Sequence, residues 1–162
     1  YVNRGISGQT TPQMLVRFRA DVIDLKPKAV VILAGTNDIA GNTGPSTVKM
    51  IADNIISMAE LARQNNILVV ISSVLPVYDY SWKPGLEPAP KISKLNKIIK
   101  NYALNHRHTY LDYYAAMVDD KKGLNEKYTS DGVHPNKAGY KVMATLADQA
   151  IAKTLDYARL KK

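Results

Sequence analysis

A chain of 162 residues is long enough to bury the core of one domain, and its 46% of hydrophobic residues is typical of a globular protein. It contains no cysteine, which excludes disulfides, thiolate metal sites and a cysteine nucleophile, and its longest apolar runs are too short to span a bilayer. The formal charge of +8 comes mainly from lysines spread along predicted helices, which favours solvated helix faces over a nucleic-acid-binding surface.

Short β-rich runs alternate with longer amphipathic stretches along the chain, which is the pattern of βαβ units. Residues 1–3 are predicted to be the tail of a strand. Thr11 and Pro12 predict the start of a helix, with the threonine as N-cap and the proline in the first turn. The residues of this helix that recur at helical spacing, and are therefore predicted to face the sheet, are Leu15, Phe18, Val22 and Leu25.

Two continuous apolar runs, residues 28–34 and 67–73, predict strands that are covered on both faces. Between them Pro45 and Ser46 predict the start of a second helix. Its buried side is predicted to consist of Ile51, Ile55, Met58 and Ala62. Residues 77–90 are rich in proline and glycine, so we expect them to form a long loop.

The rest of the chain continues the same alternation. A third helix is marked by Ile92, Leu95, Ile98 and Tyr102. Residues 109–111 predict a short strand, and a final helix is predicted from Asn136 to about Leu155. Its inward residues are predicted to be Tyr140, Met143, Leu146, Ala150 and Ile151. These elements predict a single α/β domain, a three-layer α/β/α sandwich around a parallel sheet.

Asp131 and His134 lie three residues apart in a DGVHPN motif before the last helix. An ester hydrolase needs an imidazole to take a proton from a serine and a carboxylate to hold that imidazole in the right tautomer. Gly132 permits the turn that would bring both side chains to one site, and Pro135 stiffens the exit into the helix. Taken alone, however, the pair is more simply explained as a helix-initiating turn with a surface histidine.

Two further motifs are predicted to follow strands, at the edge of a parallel sheet where ligands bind. In the GTND motif, the side chain of Asn37 is suited to stabilise an oxyanion, although a plain turn needs the same residue types. In the NRGISG motif, Gly8 offers a backbone N–H, and a simple strand-to-helix loop is the alternative. Ser7 does not fit the Gly-x-Ser-x-Gly pattern of a nucleophile.

In this order and spacing, the three motifs closely resemble the conserved blocks of the SGNH (GDSL-like) hydrolase family, in particular bacterial acylhydrolases similar to platelet-activating-factor acetylhydrolase. The resemblance implies a flavodoxin-like parallel sheet and a serine ester hydrolase that needs no metal or cofactor. It implies that Asp131 and His134 are the catalytic acid and base. It also implies that Gly8 and Asn37 are oxyanion donors and that Asp38 is structural.

The family opens with a strand that ends in Gly-Asp-Ser or a variant, and that serine is the nucleophile. No such block precedes the NRGISG motif in these 162 residues. We therefore expect residues 1–162 to be one SGNH hydrolase domain without its first strand and nucleophile loop, inactive by itself and with apolar edges exposed. A signal peptide upstream of Tyr1 would imply export to the periplasm or beyond; the compartment and the oligomeric state stay open.

The leading hypothesis is hydrolysis of a small acyl ester, with an acetyl group on a carbohydrate or lipid-like molecule as substrate. The loop at residues 77–90 carries Tyr78, Tyr80 and Trp82, which either shape the substrate pocket or cover the edge of the core. One alternative is a non-catalytic ligand-binding domain of the same fold. Another is a flavodoxin-like nucleotide or receiver domain, which would need a phosphate-binding loop or an acidic cluster that the sequence does not show.

Overall fold

The computed structural model describes residues 1–159. The α-helices are α1 (Thr11–Phe18), α2 (Thr36–Ala40), α3 (Val48–Gln64), α4 (Pro88–Asn105), α5 (Tyr113–Met117) and α6 (Lys137–Arg159). The strands are β1 (Ala29–Ile32), β2 (Leu68–Ser72) and β3 (Thr109–Leu111). A π-helical turn (Arg19–Ile23) continues α1, and a 3-10 turn (Glu126–Tyr128) precedes the DGVHPN motif. None of the helices in the described part of the chain combines the length and the apolar character of a membrane span.

The three strands form a parallel sheet in the order β1-β2-β3. The chain crosses from β1 to β2 through α3 and from β2 to β3 through α4. Side chains alternate across β2: Val69 and Ile71 pack with buried residues of α3 and α4, whereas Val70 packs with buried residues of α5 and α6. This arrangement confirms the predicted α/β fold, with helices on both faces of a parallel sheet.

The helix α3 forms as its sequence predicts. Apolar residues at helical spacing give it one buried face, and this face contains Ile51, Ile55, Met58 and Ala62. Its N-cap is Thr47, whose side chain accepts a hydrogen bond from the N–H of Met50 at 3.1 Å. The structure therefore starts this helix just after Pro45 and Ser46.

Helix α4 begins earlier than predicted, at Pro88, so the predicted loop ends at Glu87. Pro88 and Pro90 occupy the first turn, where a missing N–H costs no helical hydrogen bond. The prolines that predicted a loop are thus part of the start of a helix. Among the predicted inward residues, Ile92 and Leu95 are fully buried, and Tyr102 packs partly against the core.

Three predictions about the N-terminal part of the chain are wrong. Residues 1–3 form no strand, because none of the described strands lies alongside them, and Tyr1 and Val2 are exposed. The N-cap of α1 is Thr10 rather than Thr11, and its N–H donates to Gln13 Oε1 at 3.0 Å. Leu25, which follows the π-helical turn, is exposed.

Two corrections concern longer elements. Helix α6 extends past Leu155 to Arg159, and Tyr140 in its first turn is exposed rather than inward, while Met143 and Ala150 are buried. Strand β1 is not covered on both faces: Ile32 is buried, but Val31 and Leu33 are 37% and 41% exposed. The reason is its place at the edge of the described sheet, where one side has no neighbouring strand.

Candidate active site

The Asp131 carboxylate organises the loop that carries His134. Its Oδ2 lies 2.7 Å from His134 Nδ1. Its Oδ1 accepts the backbone N–H groups of His134 at 2.8 Å and of Val133 at 2.9 Å. One carboxylate therefore fixes both the backbone of the loop and the orientation of the imidazole, which is the contact that the spacing of the two residues predicts.

Thr129 also stabilises the loop that carries His134. Its hydroxyl oxygen accepts the N–H of Gly132 at 3.0 Å and lies 2.8 Å from the carbonyl oxygen of His134. Gly132 has a φ of +79°, in the left-handed region that favours glycine. The role of Thr129 is not evident from the sequence. The only signal available was a hydroxyl two residues before Asp131, a common feature of turns.

The electrostatics of this pair suit proton transfer. The hydrogen bond from the His134 side chain, followed by that from the His134 backbone, holds the pKa of Asp131 far below its usual range. Asp131 is therefore ionised at neutral pH, and it favours the tautomer in which Nδ1 of His134 carries the hydrogen. Nε2 is then the basic nitrogen, on a side chain that is 74% exposed.

The loops of Gly8 and Asn37 lie side by side. Asn37, in the first turn of α2, donates its side-chain N–H to the carbonyl oxygen of Gln9 at 2.9 Å. Asn42, just after α2, donates its side-chain N–H to the carbonyl oxygen of Gly8 at 3.1 Å. Two amide side chains thus tie the NRGISG segment to the GTND segment. Ser7 lies in the exposed turn next to Gly8.

A buried carboxylate and a strained glycine anchor this region. Asp38 is 2% exposed and accepts hydrogen bonds from the N–H of Thr11 at 3.0 Å and from its hydroxyl at 2.6 Å. These contacts fit the structural role implied for Asp38. Gly35 has a φ of +117°, and a Cβ at this position would lie 2.9 Å from the Cδ2 of the fully buried Leu95. No other residue fits there without displacing the core.

Aromatic side chains connect the His134 loop to the Asn37 helix. The rings of Trp82 and His134 are stacked, with centroids 6.2 Å apart. Tyr80 lies 5.2 Å from Trp82 and donates its hydroxyl hydrogen to the carbonyl oxygen of Thr36 at 3.1 Å. This chain of contacts places the three motifs at one end of the molecule, where the strands end.

The aromatic side chains of the loop at residues 77–87 (the aromatic loop) differ in exposure. Tyr80 is 1% exposed and belongs to the core, so it covers the core edge. Tyr78 and Trp82 are 65% and 55% exposed, so they are available to a ligand. Beside them a groove of about 380 Å³ runs between this loop, the turn at 119–124 and the His134 loop. Its lining includes Tyr78, Pro84, Asp119, Lys121, Asp131 and Gly132.

Comparison with known proteins points to one family. Residues 1–142 match the model of the GDSL-like Lipase/Acylhydrolase family. The structure is similar to that of a GDSL-like lipase from Bacteroides thetaiotaomicron VPI-5482, with a TM-score of 0.91 and 50% identity, over 94% of this chain and 76% of that one. It also shares its fold, at 22% identity and a TM-score of 0.76, with Axe2, an acetylxylan esterase from Geobacillus stearothermophilus, over 93% of this chain and 71% of that one.

One curated relative matches part of the chain. The uncharacterized lipoprotein YqeF of Bacillus subtilis (strain 168) is 35% identical over 88 residues, which is 52% of this chain and 36% of that protein. The match thus spans about a third of the length of YqeF.

Proposed function

The chain belongs to the GDSL-like lipase/acylhydrolase family, and from this premise we propose that it is most of a serine ester hydrolase. Its substrate is a small acyl ester, with an acetyl group on a carbohydrate or lipid-like molecule as the preferred case. The observation that carries the proposal is the 2.7 Å contact between His134 Nδ1 and the ionised Asp131, which leaves Nε2 free to act as a base.

The reaction that we propose assigns one role to each of these groups. A serine hydroxyl attacks the ester carbonyl carbon while His134 Nε2 takes the hydroxyl proton, and Asp131 stabilises the resulting imidazolium. The backbone N–H of Gly8 and the second side-chain N–H of Asn37, the one not donated to Gln9, donate to the oxyanion of the tetrahedral intermediate. The intermediate collapses, the alcohol leaves with the proton from His134, and water then cleaves the acyl-serine by the same steps.

In this proposal the serine is supplied by a segment upstream of Tyr1 in a longer protein. Two observations support it. Among the described strands β1 has only β2 as a neighbour, and its Val31 and the adjacent Leu33 are exposed apolar side chains that an additional strand alongside β1 would partly cover. The chain also covers 76% of the Bacteroides thetaiotaomicron lipase structure, so that relative has further residues.

The experiment compares the 162-residue chain with a version that carries its native upstream sequence. Both are assayed for turnover of p-nitrophenyl acetate and for labelling by a fluorophosphonate, which reacts with activated serines. We expect turnover and labelling in the longer protein only, because without a nucleophile the remaining groups support only weak catalysis of water attack.

Other outcomes are equally informative. Equal turnover by both proteins would place the nucleophile within residues 1–162, with Ser7 as the first candidate, and would overturn the upstream serine. A longer protein that binds acetylated ligands but is neither labelled nor active would instead be a non-catalytic binding domain.

A further inference from the structure

We propose that the groove beside Asp131 is the subsite for the alcohol part of the ester, and that it accepts the ring of an uncharged carbohydrate. The inference rests on the proposed esterase function and narrows its substrate class. The groove holds about 380 Å³, within the range of about 300–1,000 Å³ that is usual for small-molecule sites.

The first wall of the groove is the loop at residues 77–87, which carries the exposed ring of Tyr78. Tyr78 lines the groove, and both Tyr78 and Trp82 expose more than half of their side-chain surface. Asp79 holds the loop at both ends: its Oδ1 accepts the N–H of Tyr80 at 2.8 Å, and its Oδ2 accepts the N–H of Gly85 at 2.9 Å. A loop held in this way loses little entropy on binding, so its rings are preorganised to receive the apolar face of a sugar.

The opposite wall is polar. Asp119 Oδ1 accepts the N–H groups of Lys121 at 2.9 Å and Gly123 at 2.7 Å, which fixes the turn and turns the residues at 119–124 into a rigid edge. The side chains of Asp119 and Lys121 line the groove. Sugar hydroxyl groups both donate and accept hydrogen bonds, so acidic and basic residues in the same lining as an aromatic residue match their chemistry.

The charge of the groove favours a neutral ligand. Three aspartates, Asp79, Asp119 and Asp131, are among the lining residues with one lysine, Lys121, so the net formal charge of the lining is negative. Hydrogen bonds from the N–H groups of Gly85 and Tyr80 keep the pKa of Asp79 below its usual value. A phosphate-bearing lipid headgroup would meet like charge here, whereas an uncharged carbohydrate would not.

The position of the groove gives it a role in the reaction. Asp131 is a lining residue of the groove, and its Oδ2 lies 2.7 Å from Nδ1 of His134, which borders the groove through this contact rather than lining it. A ring bound in the groove would therefore lie beside the histidine that returns a proton to the leaving alcohol. This places the sugar on the leaving-group side of the ester.

The test uses Trp82, the chain's only tryptophan, as a reporter of binding. The 162-residue chain is titrated with xylobiose and, separately, with glycerophosphocholine, and tryptophan emission and the heat of binding are both recorded. Two variants alter the groove without touching a backbone hydrogen bond: Tyr78→Ala removes the aromatic face, and Lys121→Ala removes the ammonium group. The control is Leu104→Ala, equally exposed at 60%, at the far end of α4.

We expect saturable binding of xylobiose, roughly tenfold weaker in Tyr78→Ala, severalfold weaker in Lys121→Ala and unchanged in Leu104→Ala. Tighter binding of glycerophosphocholine than of xylobiose would overturn the proposal, as would equal xylobiose affinity in all variants, or neither an emission change nor a heat of binding. These outcomes are separate from turnover of p-nitrophenyl acetate by the longer protein. Turnover without sugar binding would refute only the subsite, and sugar binding without turnover would refute only the esterase.

Discussion

Two histidines at opposite ends of the sheet show what suits a histidine to catalysis. His134 is exposed, at the end where the strands finish, and its Nδ1 lies 2.7 Å from Asp131. His108 directly precedes β3, at the end where the strands begin, and its Nε2 is buried without a hydrogen-bond partner among the described residues. Its neighbours are the rings of Tyr102 and His106, at centroid distances of 5.9 and 6.4 Å.

The difference lies in the partner of each ring. Burial, followed by the nearby charges of His106 and Arg63, lowers the pKa of His108, so this ring is held neutral. A carboxylate beside His134 instead stabilises the protonated ring that must form during catalysis. Of the two histidines, only His134 has both an anionic partner and an exposed ring, which is why our proposal makes it the base.

The largest expected effect separates the two histidines by activity. In the longer protein that carries the upstream sequence, His134→Ala should lower kcat for p-nitrophenyl acetate by roughly 10³-fold or more. Its free energy of unfolding should change by less than about 0.5 kcal/mol, because the side chain is exposed. The matched variant His108→Phe should leave kcat unchanged.

Steady-state kinetics and urea unfolding of the same preparations check this pair. A large loss of kcat in His108→Phe with no loss in His134→Ala would reverse the assignment and would refute the proposed mechanism.

A second prediction concerns how firmly the His134 loop is held. Thr129→Val keeps the shape of the side chain but removes the hydroxyl that accepts from Gly132 and contacts the His134 carbonyl. The buried groups left unpaired should lower the free energy of unfolding by about 1–3 kcal/mol, and a less ordered loop should lower kcat. Thr129→Ser should restore both.

The control for this prediction is Thr145→Val, which removes an exposed hydroxyl on α6 that donates to the carbonyl of Lys141. Denaturant unfolding and kcat for p-nitrophenyl acetate are measured for the three variants of the longer protein that carries the upstream sequence. Equal losses in Thr129→Val and Thr145→Val would show that Thr129 has no special role in the loop.

The smallest expected effect is the part that His108 contributes to the loss of folding stability at acidic pH. Its pKa is lower in the folded chain than the usual value of about 6.5 in the unfolded chain. Between these two values the unfolded chain binds a proton that the folded chain does not, so stability is complete above pH about 6.5 and falls as the pH drops toward the folded value. His108→Phe should remove this part of the loss.

Thermal unfolding of the chain and of His108→Phe, measured on both sides of that pH, tests the sign. If the variant loses as much stability on acidification as the parent chain, His108 is not held neutral by burial.

Much of the fold could be predicted because apolar residues recur at regular spacing in its longer helices and form continuous runs in its strands. The buried faces of α3 and α4 follow from apolar residues three or four apart, and β3 was predicted at its observed residues. Helices α2 and α5 were not predicted, since five residues are too few to show a helical period. The exposure of Val31 could not be predicted either, because it depends on which strand lies at the edge.

The site was predictable to the extent that its contacts are local. Asp131 and His134 are three residues apart, so a single turn suffices to join them. The contact between the Gly8 and Asn37 loops depends on tertiary packing, and it was expected only from a parallel sheet and from the family resemblance. Nothing in the sequence distinguished the buried Tyr80 from the exposed Trp82, since loop residues follow no regular burial period.

Gly35 shows how a single glycine fixes the start of α2 against the core. Its backbone lies against the buried side chains of Ile51, Val74 and Leu95, so the start of α2 cannot shift without disturbing the core. Gly85, at the end of the aromatic loop, has no heavy atom within 4 Å of where its Cβ would be. A combinatorial library built on this scaffold should therefore retain glycine at 35, where neither the φ nor the surrounding core admits a side chain, and should favour glycine at 85 because of its φ of +84° and not for lack of space. We expect changes in ligand preference to arise from the exposed side chains of the aromatic loop, Tyr78 and Trp82, rather than from the start of α2.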